Sequence, residues 1–499
     1  MTDLLQHPFW RADDLGKPLP DSPFGVSVCL PLWSHVIGYE EKDPEVVGKF
    51  QSGYPRFCCP PAVSELFALA EQMHAGAGER CLVFPRLSHA QRCLDFVQRI
   101  SDCDSAGLRA LDWQEHGLGV AIFPAGLYDT ARKFWRFCGE VVSTRQACLV
   151  LGQTTTDSTH EAGCAASAQI RQRLADLSGQ EAADVFLFPS GMAANFAVHR
   201  MLTKLFPGRK TAQLDFPYVD VLKLQQMLGS GAHFMPLLTQ AEYDDLAHLL
   251  KTERLAGIFC EAPSNPLLRC VDFERLLSIR ASSQPGVPLV VDDTIATLAN
   301  VDAFRVADLV TTSLTKSFSG AGDVMAGSVI LNRASPHHAT FRAYLTGHAD
   351  HELWHADAIA LEENSRDFTD RVAISSRNAQ ALADFLRAHP AVAAVWYADQ
   401  NGGPGLECIR REGGGHGCLL SFVLKDTSAS PAVYDRLRVS KGPSLGTNFT
   451  LACPYTLLAH YDELPWAESC GVPRNLIRVS TGLESIEDLV QRFEEALAV

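Results

Sequence analysis

Lys316 sits in TTSLTKSFSGAGD (311–323), after a run with strand character at 307–311 and before a loop of small residues at 319–322. Hydroxyls at Ser313, Thr315 and Ser317 flank it. Such hydroxyls, with nearby backbone N–H groups, suit an oxyanion such as a phosphate. A lysine held in a partly dry pocket loses basicity and can form a Schiff base with an aldehyde. A solvated loop lysine is the ordinary alternative, and what argues against it is company. Upstream, PLVVDDT (288–294) has the pattern of a buried strand ending in an acid, Asp292. An aspartate ending one strand and a lysine after the next is the pair that pyridoxal 5'-phosphate requires. The carboxylate keeps the pyridine nitrogen protonated and the amine holds the aldehyde.

Other residues could serve the same site. Ser190-Gly191-Met192 follows a strand and opens a helix, so its N–H groups can hold a phosphate, or Ser190 can simply cap the helix. Tyr218, in LDFPYVD (214–220), stands just after a strand, where its ring can stack on a planar cofactor or pack in the core. Glu261 opens EAPSNP (261–266), a strand-end acid followed by Asn265 between two prolines. That amide could reach a phenolic oxygen. Arg478 interrupts the apolar run of LIRVSTG (476–482) and can clamp a carboxylate bidentately, or serve as an amphipathic edge-strand arginine. HELWH (351–355) satisfies the zinc pattern H-E-x-x-H, but no third ligand follows at a familiar spacing, and no metal site is expected.

Positioning these groups needs strand ends. Residues 1–140 read as a folded N-terminal region with helices at 63–73 and 130–138 and a short strand at 81–85. Residues 141–375 alternate strands (185–188, 212–215, 257–260, 289–292, 308–313, 327–331) with helices such as 191–205, 220–228 and 272–281. That alternation predicts an α/β domain with a large, mostly parallel sheet, whose ligands lie at the carboxyl ends of strands. A long helix at 366–389 leads into residues 376–499, a smaller C-terminal α+β domain with a turn at 401–405, a strand at 418–424 and a final helix at 486–497.

Composition bounds the partners. Of 499 residues, 46% are hydrophobic and 20% charged, an ordinary globular balance. A net charge of −15 argues against nucleic acid and anionic membranes. No apolar run reaches the ~18 residues of a membrane span, and the first residues have no signal-peptide character. The 15 cysteines are scattered and never spaced C-x-x-C, which predicts reduced thiols and a cytoplasmic location.

Taken together, FPSGMAA (188–194), EAPSNPLL (261–268), VVDDT (290–294), SLTKSFSGAGDVMAG (313–327), GCLLSF (417–422), SLG (444–446) and IRVSTGLES (477–485) resemble the Cys/Met-metabolism family of pyridoxal-phosphate enzymes, the cystathionine γ-synthase family. The earlier part, with SVCLPLW, GYEEKDP, GYPRF and FW, looks like the long-form, fungal-type members. The resemblance implies fold type I, the aspartate-aminotransferase-like architecture. It implies that Lys316 carries the cofactor, Asp292 pairs with the pyridinium, Tyr218 stacks on the ring and Asn265 reaches its phenolic oxygen. Gly191, Met192, Ser313 and Thr315 would hold the phosphate, and Arg478 with Ser444 the substrate α-carboxylate. A Tyr-x-Arg of the family reaches the neighbouring subunit's phosphate. Two places compete for it here, Tyr54-Pro55-Arg56 and Ser143-Thr144-Arg145, the second with serine for tyrosine. A homodimer or homotetramer with active sites at the subunit interface is therefore implied.

Two departures lie near the substrate. Ser317 stands where the family often has tyrosine, and Gly320-Ala321-Gly322-Asp323 where it often has Gly-His-Ser-Asp. The expected activity is γ-replacement on an O-activated homoserine, the O-acetyl ester foremost, by a thiol or another nucleophile. A β- or γ-lyase releasing ammonia and a keto acid is the alternative.

Overall fold

The computed structural model describes residues 2–102, 107–154, 159–348 and 352–498. Seven short apolar runs form one sheet, ordered Val185–Phe188, Gly327–Leu331, Leu309–Thr312, Leu289–Asp292, Gly257–Glu261, Thr211–Leu214, Ala232–Met235. Gly327–Leu331 runs antiparallel to both its neighbours, and the remaining pairings are parallel. Both faces are buried, and the strand period shows it. Leu289 and Val291 join one core cluster and Val290 the other; Ile258 and Cys260 lie opposite Phe259 in the same way. Helix His160–Ser178 covers the first face with Ile170 and Leu174, and helix Gly191–Leu205 covers the second with Ala194, Val198 and Met201.

Register brings the strand-end acids together. Asp292 pairs with Glu261 on one side and Thr311 on the other, so both carboxylates and the start of the lysine loop leave the sheet at one edge. The edge strand Ala232–Met235 and the helix Gln240–Thr252 are additions to the sequence reading. The strand is only half-buried, so its apolar signal is weak.

Helix Phe368–Ala388 runs unbroken from this domain into a second sheet, ordered Val392–Tyr397, Leu419–Leu424, Ile477–Ser480, Leu451–Pro454, Ser440–Lys441. The turn expected at 401–405 is partly helical, since Gly403–Ile409 forms a short helix with Pro404 in its first turn, where proline costs nothing.

Residues 62–143 contain an antiparallel sheet of Glu79–Phe84, Leu118–Pro124 and Arg109–Trp113. Cys81 and Val83 pack on helix Pro61–His74, while Leu82 and Phe84 face helices Leu87–Ser101 and Tyr128–Cys138. The residues before it behave differently. Leu15, Leu30, Trp33, Val36 and Val46 share a core with Leu382, Tyr434, Val439 and Phe493 of the C-terminal domain. No helix among the described residues is long and apolar enough to cross a membrane, and the described cysteines are all free.

Candidate active site

The loop after Leu309–Thr312 carries Lys316, and Thr315 pins it: its hydroxyl accepts from Ala326 N at 3.0 Å. Arg371, on the bridging helix, donates to the carbonyls of Ser317 (3.1 Å) and Phe318 (3.0 Å), gripping the backbone just past the lysine. Lys316 Nζ donates to Ser444 Oγ at 3.1 Å and lies 5.4 Å from the centre of the Tyr54 ring. Burial, with the charges of Arg478 and Arg56 added, pushes its ammonium down to about 7. An amine made less basic in this way is more readily neutral and nucleophilic.

Asp292 accepts from Thr294 N at 2.9 Å and from Asn195 Nδ2 at 3.2 Å, while Asn195 Oδ1 accepts from Thr311 at 3.2 Å. Asn195 and Thr294 were not among the expected residues. Asn195 stands one turn into the helix opened by Ser190, which was the available signal. Burial pushes the Asp292 carboxyl up, and what pulls it back are hydrogen bonds from Thr294, Asn195 and Thr311. A cationic N–H placed against this carboxylate would hold it ionised, which is the service a pyridinium asks of it.

Ser190 is the N-cap of helix Gly191–Leu205: its hydroxyl accepts from Ala193 N at 3.0 Å and donates to Gly139 O at 2.8 Å. The serine side chain is thus committed to capping, and what remains for an anion are the first-turn N–H groups of Gly191 and Met192. A Cβ on Gly191 would stand 2.7 Å from Ser313 Cβ and 2.9 Å from its Oγ, so only glycine lets the helix start and the Ser313 hydroxyl approach each other. That cradle, the lysine and the hydrogen-bonded aspartate fit pyridoxal phosphate at its three recognition points.

Glu261 holds loops in place. It accepts from Tyr218 N at 2.7 Å and from Asn265 N at 3.1 Å, and burial, together with the neighbouring Asp292 charge, pushes its carboxyl well up. Tyr218 is thereby fixed at the sheet edge, and its hydroxyl meets Arg56 Nη2 at 2.6 Å and Asp220 Oδ2 at 3.3 Å. Arg56 also pairs with Asp220 at 2.8 Å, both side chains being 2% exposed or less. Arg145 lies elsewhere, donating to Asp323 (2.9 Å) and Asp357 (3.4 Å). Both arginines find carboxylates within their own chain.

Arg478 is on an interior strand: Ile477–Ser480 has Leu419–Leu424 on one side and Leu451–Pro454 on the other. Of the two readings open from sequence, the edge-strand one is therefore removed. The guanidinium is buried, donates to Asn265 Oδ1 (3.2 Å), Pro443 O (2.7 Å) and Ser444 O (3.1 Å), and packs 5.0 Å from the centre of the Tyr455 ring. These bonds fix its plane, the condition for bidentate recognition of a carboxylate. Arg478, Asn265, Ser444 and Lys316 form one wall.

Of the H-E-x-x-H pattern, the described residues 352–354 precede a helix and do not lie within one. His355 begins the helix His355–Asn364, Glu352 lies before it and pairs with Arg86, and His351 lies outside the described residues.

Residues 162–498 match the family described as Cys/Met metabolism PLP-dependent enzyme. Residues 62–143 match the fungal trans-sulfuration enzyme N-terminal domain. The cystathionine gamma-synthase-like enzyme iboG1 of Amanita muscaria is 33% identical, covering 97% of this chain and 97% of its own. Cystathionine gamma-synthase of Neurospora crassa is 32% identical over 97% of this chain and 98% of its own. The solved structure of cystathionine gamma synthase from Xanthomonas oryzae pv. oryzae, at 23% identity, superposes with a TM-score of 0.58 over 69% of this chain and 88% of that one. The fold is type I of the pyridoxal-phosphate enzymes. The first of these matches covers more than half of the sequence, and the chain belongs to the Cys/Met metabolism family of PLP-dependent enzymes.

Proposed function

We propose that the protein catalyses γ-replacement on an O-activated L-homoserine, O-acetyl-L-homoserine foremost, with a thiol or another nucleophile as acceptor. The observation that carries this reading is the shared wall. Lys316 Nζ lies 3.1 Å from Ser444 Oγ, and the carbonyl of the same serine holds Arg478. A carboxylate clamped by Arg478 puts the adjacent Cα–H and the side chain beyond it within reach of one amine.

The residues then divide the work. Arg478 and Ser444 bind and orient the α-carboxylate. Asp292 would hold the ring nitrogen of the cofactor, Asn265 its phenolic oxygen, and the first turn at Gly191 and Met192, with Ser313 and Thr315, its phosphate. Pyridoxal phosphate supplies the electron sink that makes Cα and Cβ protons removable. Lys316, with its basicity lowered by burial, takes a proton from Cα and can return it to the product. Lys316 would also take a proton from Cβ, whose C–H pair forms a Cβ–Cγ double bond as the acyloxy group leaves with the Cγ–O pair. The deprotonated nucleophile's lone pair then bonds Cγ, and protons return to Cβ and Cα. The Tyr218 hydroxyl, held between Arg56 and Asp220, would be a second proton carrier.

Relatives named cystathionine gamma-synthase and cystathionine gamma-synthase-like, matched over nearly their whole length, support this reading. The active assembly is a homodimer or homotetramer, in a cytoplasmic setting, which sedimentation and fractionation test. Incubation with O-acetyl-L-homoserine and a panel of thiol, carbon and nitrogen nucleophiles, followed by mass spectrometry, tests the reaction. Adducts with release of acetate are expected. Ammonia and a keto acid formed equally well without any nucleophile would overturn γ-replacement in favour of a lyase.

A further inference from the structure

Residues 2–61 precede both matched regions, yet a stretch of them borders the loops that carry Lys316 and Ser444. Val26 N donates to Gly322 O at 2.9 Å, in the loop that follows Lys316. A few residues on, Leu30 N donates to Lys441 O at 2.9 Å. Lys441 answers with its side chain, Nζ donating to Pro31 O at 2.8 Å and to Asp435 O at 3.0 Å. The Tyr434 hydroxyl donates to Leu30 O at 2.8 Å, and Trp33 N to Asp435 Oδ1 at 2.7 Å.

Lys441 is 0% exposed, and its bonds go to main-chain carbonyls, with the Tyr434 ring centre 4.7 Å away. Burying an ammonium is costly, and burial pushes this one down to about 7. A methionine would fill the same volume without that cost, so the donors have a use. The next residue shows where. A Cβ on Gly442 would stand 2.8 Å from Val28 O and 2.9 Å from Leu19 Cδ1, so the N-terminal segment and this loop touch backbone to backbone. The two residues after Gly442 supply the carbonyls that hold Arg478 and the hydroxyl that meets Lys316.

We propose that residues 19–31 form a strap that sets the position of the 442–444 loop, and with it the carboxylate subsite, and that Lys441 is the positioning residue that latches strap to loop. The strap touches the lysine loop at Gly322 and the carboxylate loop at Lys441 and Gly442, so it braces from outside both loops that build the one wall. This rests on the assignment of Arg478 and Ser444 to the α-carboxylate.

The test uses full-length holoenzyme. Lys441→Met removes the latch at constant volume, and Gly442→Ala wedges loop and strap apart while leaving Lys441 intact. Arg438→Met, at an exposed arginine paired with Glu495, is the control. Backbone hydrogen exchange in 19–31 and 442–446 should quicken on the order of tenfold in both test variants. KM for a homoserine ester with a free carboxylate should rise about tenfold, with kcat within about threefold and cofactor content unchanged. Should Lys441→Met fail to fold, Gly442→Ala carries the test alone. Arg478→Ala, run in parallel, separates the two claims. No KM effect in Arg478→Ala overturns the carboxylate assignment and the strap's role in it. A KM effect there, with none in the strap variants, overturns the strap alone. Lower melting temperatures with unchanged KM and unchanged exchange in 19–31 would reduce Lys441 to a structural lysine.

Discussion

The guanidinium of Arg56 lies 2.6 Å from the hydroxyl of Tyr218, across 162 positions of sequence. It pairs at the same time with Asp220, with both side chains almost wholly out of water. Removing one partner of such a pair leaves a buried charge uncompensated, at a cost of about 3–5 kcal/mol. Arg136, 3.4 Å from Asp220, remains to soften the loss, so Arg56→Met should fall at the lower end of that range. Arg56→Met with Asp220→Asn should recover part of it, which a double-mutant cycle on thermal or chemical unfolding measures. Additive losses would show that the two side chains do not act as a pair.

The purified protein should be yellow, with absorbance near ~420 nm and about one cofactor per chain. Borohydride should bleach the band and leave the cofactor attached to the peptide containing Lys316. Lys316→Ala should bind cofactor without that covalent link. A label on any other lysine would displace Lys316 from its role.

Arg478→Ala should lower kcat/KM for O-acetyl-L-homoserine by roughly 30- to 1,000-fold, as expected for a partly desolvated carboxylate pair worth ~2–4 kcal/mol. Lysine should rescue only in part, because a point charge cannot reproduce the fork. Esters amidated at the α-carboxyl should react almost equally with wild type and Arg478→Ala. Equal sensitivity of amide and free acid to the substitution would place the carboxylate elsewhere.

Lys441 makes stability depend on pH. Its folded-state value of about 7 lies below the ordinary ~10.4 of a lysine, so between these values the unfolded chain binds more protons. Stability should therefore rise as pH climbs from about 7 toward 10, and the penalty for the buried charge is fully present below 7. Asp435 and Cys29 are the titratable groups that act on it in the opposite sense. Melting temperatures of wild type and Lys441→Met, compared at pH 7 and pH 9, should converge or cross in favour of wild type at the higher pH. A gap that is the same at both pH values would show that Lys441 does not titrate in this window.

Much of the cofactor site is written locally. An apolar run of four residues ending in an acid specifies a buried strand and its exit, so Asp292, Glu261 and the loop of Lys316 could be placed at strand ends from residue types alone. Ser190 shows the limit of that reasoning. The same serine serves a phosphate or a cap in sequence, and only its bonds to Ala193 N and Gly139 O show that the hydroxyl is spent on capping.

Arg478 could not be told from an edge-strand arginine, because a strand's neighbours are set by distant pairing with Leu419–Leu424 and Leu451–Pro454. Lys441, in VSKGPS, is wholly buried although a lysine is rarely so. What buries it is the N-terminal segment, docked through main-chain bonds such as Leu30 N to Lys441 O. A main-chain N–H or C=O is the same group at every residue, so such docking leaves almost no mark on residue types. The sequence by itself therefore determined the cofactor, the strand ends that present it and the family. The tertiary structure alone decided that Arg56 reaches Tyr218 in its own chain and that residues 19–31 touch both the lysine loop and the carboxylate loop, because those contacts depend on where distant backbones meet.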